Sequence, residues 1–475
     1  MVKPRVEREE LADPSDSGEL KEKAGKGLVL VTALAFGFGW QVRGSGTSDP
    51  AVPALLLTLL VLAHAPREKL HSRVGTYLLA GLVVLVVRVT RTGWGTFVGQ
   101  AGIPGRWPGR LASHVEGYDV EVAWWQGYFW LAIVGASWFG PPAFLLGGYL
   151  LTPRDDRPNA KDAVVATLLY FVGFFSFLPV SRALIPFLSP EAYWDVYRAG
   201  LSTRNYESMV DNLTRCFSLL PPAIYFLATR GRKFFANSAV VTALFAFSIS
   251  VADLWQVVGR NVPELGIPYW SLWEYFTGFL FGALYQAYLL RRGFYDGTGE
   301  VGGVKADGFN DAGNGRVGRA FGLLIFLLGH FAAFTWGLQE SASGSVEISA
   351  LSLGFSGDVA ELAALVARVA LVVTDLALYL AWARGWFRPA LWVKISSAGW
   401  RARSLTLLAL LLPAYYACYA VPWALSGRLF ALDAGALASW LDTASFAACE
   451  AWAAAKCRQA WNWKKRAGSR VTGPG

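Results

Sequence analysis

The sequence predicts an all-α protein, a polytopic membrane helix bundle of about 12 transmembrane helices with both termini on the cytoplasmic side. Three observations carry that prediction: a shortage of charge, a succession of apolar runs, and a one-sided distribution of basic residues. Of 475 residues, 54% are hydrophobic, 15% aromatic and only 16% charged, and the mean hydropathy is +0.37. A soluble domain carries roughly 25% charged residues to keep its surface wet, so a water-soluble enzyme of ordinary design is excluded. A disordered chain is excluded too, because it needs low hydrophobicity and high charge.

Apolar stretches near 20 residues long read as membrane helices. They fall at about 26–42, 51–66, 74–90, 122–152, 162–188, 213–229, 236–257, 269–290, 319–338, 359–383, 404–426 and 431–455, here spans 1 to 12. Span 4 contains Pro141-Pro142, which the sequence reads as a break, and span 12 holds Asp433, Asp442 and Glu450. The runs are continuous rather than alternating, which excludes a membrane β-barrel.

Basic residues test the count through the positive-inside rule. With the N-terminus inside, the outer segments and outer span edges hold only Arg43, Arg91, Arg106, Arg110, Arg198, Arg204, Arg215, Arg260 and Arg428 of the 43 Lys and Arg. Arg88, Arg182 and Arg368 fall within spans, and the other 31 lie inside. The net charge of +9 is therefore topological, and nucleic acid is not expected as a partner. The organisation that follows is a charged cytoplasmic tail over 1–25, a first membrane part over 26–290, a flexible cytoplasmic loop over 291–318, a second membrane part over 319–455 and a basic tail over 456–475. The expected location is the cell membrane, as a multi-pass protein with the lipid bilayer as its first partner.

The inner loop contains Gly297-Thr-Gly299-Glu-Val-Gly302. No strand precedes this G-x-G-x-x-G, so it reads as linker rather than nucleotide site. Cys216, Cys418, Cys449 and Cys457 have neither C-x-x-C nor zinc spacing, and the four histidines are scattered. Neither a disulfide framework, a metal site nor a cofactor is expected.

Unusual sequence gathers on the outer side. Span 1 ends in Gly37-Phe-Gly39-Trp40-Gln41-Val-Arg43-Gly44, and the segment after span 3 reads Arg91-Thr-Gly93-Trp94-Gly95 on to Gly99-Gln100. Span 7 leaves through Asp253-Leu-Trp255-Gln256. Glycine this dense lets backbone approach backbone or ligand closely, and points to a pocket opening outward; the competing reading is that glycine turns and interfacial tryptophans anchor helix ends. The stretch 190–214 reads either as an interfacial helix or as a surface cover.

In span 8, Glu274, Gly278, Gly282 and Gln286 recur every four residues and form one stripe. The glycines make a close-packing groove, while Glu274 demands a partner or water at membrane depth. Arg368 and Asp375 share one face of span 10, two turns apart, and His330 sits mid-way along span 9. Candidate substrate-binding residues are therefore Arg43, Trp94, Asp253, Glu274, Gln286, His330, Arg368 and Asp375. For each, a structural ion pair or a hydrogen-bonded core role competes with the functional one.

Trp40-Gln41 and Trp255-Gln256 end odd-numbered spans, whereas Trp125-Gln126 and Trp273-Glu274 begin even-numbered ones. The pairing hints at two six-helix halves. Trp40-x-x-Arg43-Gly44, Trp94-Gly95 with Gly99-Gln100, and Trp273-Glu274 with Gly278-Phe279 resemble motifs of uncharacterised prokaryotic polytopic membrane proteins. That resemblance covers spans 1–4 and span 8 and implies no activity. It departs at Ser45-Gly46-Thr47, where such proteins carry a His soon after the Arg-Gly.

Three functions remain open. A secondary transporter for a small polar or anionic solute would bind it through Arg43, Arg182 and Arg368, with Asp253, Glu274 or Asp375 as coupling carboxylates. A membrane-embedded transferase for a lipid-linked or acyl donor would draw on outer acids such as Asp49, Glu116, Asp119 and Glu121, with Arg91 or Arg106 on a donor phosphate. A non-catalytic subunit of a membrane assembly would need no site. Oligomeric state is not legible.

Overall fold

The computed structural model describes residues 14–42, 99–100, 109–112, 119–122, 124–152, 160–201, 203–295, 336–384 and 436–471, with single positions among 53–64, at 158, and among 412–427. The described chain is helical. Helix α1 is described over Pro14–Val42 and draws part of the charged tail into the helix. A short antiparallel sheet follows, β1 (Gly99–Gln100), β2 (Gly109–Ala112) and β3 (Asp119–Val122), in the order β1-β2-β3. Its register sets Arg110 opposite Glu121 and Ala112 opposite Asp119. An all-α reading had no strand here; three short segments instead pair antiparallel in chain order.

Helix α2 (Trp124–Ala143) passes through Pro141 and Pro142 and continues as a π-helical turn over Phe144–Tyr149. The expected break is thus a local widening, which accommodates the missing amide donors without ending the helix. Helix α3 (Ala160–Leu188) leads through a second π turn (Ala192–Tyr197) to α4 (Arg204–Ser218) and α5 (Leu220–Arg230). Next come α6 (Arg232–Ala252), α7 (Leu254–Asn261) and α8 (Tyr269–Arg291). Helix α9 (Trp336–Ser352) extends beyond position 338, where a span was expected to end, and packs on α10 (Gly357–Arg384) as a hairpin. Helix α11 (Ala436–Val471) carries the twelfth apolar run straight on into the basic tail.

Among the described residues, three helices are long and apolar enough to cross a membrane: Trp125–Tyr149, Lys161–Leu188 and Arg232–Gly259. Helix α3 shows the solvent such a helix requires, for Leu168, Val172, Phe175 and Phe187 are all exposed along it. An apolar face this long in water would lose about 25 cal/mol for each Å²; against lipid it loses nothing.

The core is a square of α1, α2, α6 and α8. Aromatic rings from all four meet on its axis: Phe139 stacks on Phe245 at 4.5 Å, Phe281 meets Phe139 edge-on at 4.5 Å, and Trp40 meets Phe245 at 4.8 Å. Edge and offset contacts of this kind add about 0.5–1.5 kcal/mol per pair beyond burial. The α1–α8 side of the square is the close-packing seam expected from the span 8 glycines. A Cβ at Gly282 would fall 2.7 Å from the Thr32 carbonyl, and one at Gly278 would fall 2.7 Å from the Trp40 Cβ.

A second apolar cluster lies between α2, α3 and α4, built from Trp130, Ile185, Met209 and Leu213. Stretch 190–214 therefore folds as a cover that buries one face of α4 on α2 and α3. At the other end of α3, Asp162 pairs with Arg230 and accepts the Tyr225 hydroxyl at 2.8 Å, tying the start of α3 to the end of α5.

Candidate functional site: a buried acidic layer

One end of the square is where α1 and α6 finish and α2 and α8 begin. Directionality alone brings four Trp-Gln or Trp-Glu pairs there: Trp40-Gln41, Trp125-Gln126, Trp255-Gln256 and Trp273-Glu274. In every pair the polar member is buried, Gln41, Gln126, Gln256 and Glu274 alike.

Helical spacing and the printed contacts tell which of them face the bundle axis. Glu274, Gly278, Phe281 and Tyr285 form one stripe of α8. Phe281 lies in the aromatic plug and Tyr285 reaches across to the Leu146 carbonyl at 2.8 Å, so Glu274 also faces inward; it is 1% exposed.

Asp253 occupies the joint between α6 and α7. Its amide donates to the Ser250 carbonyl at 3.2 Å, a tight i→i−3 bond, while the Ile249 carbonyl accepts the Trp273 indole N–H at 3.2 Å. Helix α8 thus holds the broken turn of its neighbour. The Ser250 hydroxyl lies 2.9 Å from the Ala246 carbonyl of its own helix and 3.3 Å from the Tyr128 carbonyl of α2.

Gln256 follows Asp253 by three residues, so the two share one face of the joint, and both are 0% exposed. Its neighbour Trp255 packs on Phe276 of α8 at 5.2 Å. Among the described residues, neither the Gln256 amide oxygen nor its amide nitrogen has a hydrogen-bond partner.

Asp253 lies eight residues beyond Phe245 and Glu274 seven before Phe281. At the helical rise those are about 12 and 10 Å from the plug, so the two carboxylates share a level. Gln126 points elsewhere: it shares a stripe with Trp130 and Ser137, and the Ser137 hydroxyl donates to Asn212 Oδ1 of α4 at 2.6 Å.

Beyond the plug, toward the other end, lies a second polar layer. Gln286 Oε1 accepts from the Thr32 hydroxyl at 3.2 Å and from the Tyr295 hydroxyl at 3.1 Å. Asn237 Oδ1 accepts from Tyr288 at 2.8 Å and from Arg292 at 3.4 Å. Burial pushes the Tyr295 hydroxyl well above its ordinary pKa, so it stays a donor. Gln286 is thus a bonded member of this layer, three turns from Glu274.

The expected site residues are only partly brought together. Asp253 and Glu274 share the acidic layer. Arg368 lies on the α9–α10 hairpin with its guanidinium on the Ser343 hydroxyl at 3.2 Å, and Asp375 is two turns further along the same helix. Arg43, Trp94 and His330 lie outside the described residues. Gln256 was not among the expected residues; the fourfold recurrence of Trp beside Gln or Glu was the signal that could have found it.

The layer can hold a proton or a cation on its carboxylates, and can accept hydrogen bonds from a polar solute. No protein-family model, curated protein or solved structure matches the chain.

Proposed function

We propose that the chain is a secondary transporter of the cell membrane, moving a small polar or anionic solute, with Asp253 and Glu274 as its coupling carboxylates. In this reading it is a multi-pass protein of about 12 spans with both termini cytoplasmic, so the acidic layer faces outward. The observation that carries the reading is the stacking along one axis of acidic layer, aromatic plug and second polar layer. Two polar layers separated by a removable aromatic barrier are what a solute path needs, whereas packing alone would favour an apolar axis throughout.

Uptake by purified protein in liposomes, over a panel of labelled organic acids, amino acids and sugars, tests this. Glu274→Gln and Asp253→Asn should each lower accumulation of the transported solute at least tenfold while exchange of preloaded solute persists. If both variants accumulate every solute as the parent does, transport is not coupled through this layer. The outer-face transferase and the structural subunit then become the readings to pursue.

A further inference from the structure

Helix α3 stands outside the square with one face open. Leu168, Val172, Phe175, Pro179 and Arg182 succeed one another at alternating steps of four and three residues, which puts them in a single stripe. All five are exposed, Leu168 by 60% and Phe175 by 70%. The last member of this otherwise apolar stripe is a guanidinium. Among the described residues Arg182 makes no hydrogen bond and no ion pair, although Glu191 and Asp195 follow it closely in the chain. Arg368, also exposed, is the contrast, since it bonds the Ser343 hydroxyl at 3.2 Å.

Depth selects what answers that charge. Lys161 and Arg182 lie about 32 Å apart along α3 at the helical rise, close to the roughly 30 Å of a bilayer's hydrocarbon core. With Lys161 at one boundary Arg182 stands at the other, and the exposed rings of Phe187 and Trp194 beyond it suit an interfacial belt. Burial and the neighbouring Tyr197 and Tyr193 raise the pKa of the Tyr206 hydroxyl on α4, and the Arg182 charge works against them. The side chain is therefore within reach of the α4 cover rather than lost among the apolar residues of its stripe. A guanidinium held in hydrocarbon is costly, and a long side chain escapes by rising to the interface, where lipid phosphate is the abundant anion. Guanidinium and phosphate pair through two parallel N–H···O bonds. A free anion would use Arg182 and leave the stripe uncovered; a neutral lipid would cover the stripe and leave the charge unanswered. A lipid that carries a phosphate answers both.

We infer that the open face of α3 binds one glycerophospholipid, with its phosphate on Arg182 and a chain along Phe175, Val172 and Leu168. In the orientation proposed above, that lipid belongs to the outer leaflet. The site is separate from the acidic layer; it rests on α3 crossing a bilayer and not on transport.

Native mass spectrometry of the full chain released from detergent tests it, by titration with phosphatidylglycerol, with the diacylglycerol of the same chains and with glycerol phosphate. The expected result is one saturable phosphatidylglycerol adduct on the parent, absent with the other two. Arg182→Gln should weaken that adduct roughly tenfold, as the loss of a charge-assisted bond requires, and Arg182→Lys should weaken it less. Arg198→Gln, which removes an exposed arginine of the cover instead, should leave it unchanged. Both side chains are on the surface, so neither substitution removes a buried contact. Equal binding by the parent and Arg182→Gln overturns the inference. So does an equal loss in Arg198→Gln, because surface charge in general then attracts the lipid. A diacylglycerol adduct as strong as that of phosphatidylglycerol gives the face to lipid chains alone, and glycerol phosphate bound as well as the lipid gives Arg182 to a free anion; either result overturns it too.

Discussion

Trp273 on α8 donates its indole N–H to the carbonyl of Ile249 on α6 at 3.2 Å, four residues before the joint at Asp253. In an unbroken helix that carbonyl would receive the amide of residue 253, which instead bonds Ser250. One side chain therefore stabilises the irregular turn at which the buried Asp253 sits.

Trp273→Phe keeps the ring and removes the donor. The Ile249 carbonyl is then left buried without its acceptor role, at a cost of about 1–3 kcal/mol. Amide exchange should quicken over Ser250–Gln256 while the centre of α6 near Phe245 keeps its protection. Uniform exchange changes along α6, or none, would show that the indole does not hold the turn.

The α1–α8 seam has no room for a side chain at Gly282, where a Cβ would meet the Thr32 carbonyl. Gly282→Ala gains up to about 1 kcal/mol of helix propensity but should lose about 1–3 kcal/mol to overpacking, for a net fall in Tm. Gly344 on α9 is the contrast, since a Cβ there meets nothing within 4 Å. Gly344→Ala should raise Tm slightly. Parallel melts of the two variants in one detergent check both signs.

Much of this was legible in the sequence, and for physical reasons. Charge deficit and apolar length identify helices because the bilayer leaves few other options. The Gly278–Gly282 stripe was readable because helical spacing puts both on one face before any partner is known. Arg368 and Asp375 are charged like Asp253 but lie on the α9–α10 hairpin. Which helices neighbour which is a matter of tertiary packing, and no one-dimensional spacing reports it. Gln256, unlike Gln286, belongs to no four-residue stripe within its span, so only the recurrence of Trp beside Gln or Glu singles it out.

At the opposite end of α3, Asp162 accepts both Arg230 and the Tyr225 hydroxyl. Asp162→Asn removes the charge but retains an oxygen for Tyr225, whereas Asp162→Ala removes both interactions. The order of stability should be parent, Asn, then Ala, spread over about 1–3 kcal/mol because Arg230 is only partly buried. Equal melting of all three would mean that the cluster does not tie α3 to α5.

Asp211 on α4 provides a pH test of the cover. Burial raises its pKa above 3.8, a neighbouring Glu207 raises it further, and Arg215, 3.3 Å away, pulls it down by less. A raised folded-state pKa means that the folded protein binds the proton more tightly than the unfolded chain. Its contribution is therefore most favourable in acid. It is lost as pH rises from 3.8 through the folded-state value, and levels off above that. Asp211→Asn cannot titrate, so the difference in Tm between parent and variant should move against the parent across that interval. It should then stay constant to neutral pH. A difference that instead moves in the parent's favour with rising pH would mean that the Arg215 attraction outweighs burial. The α4 cover would then be held chiefly by that ion pair rather than by the apolar face it lays on α2 and α3.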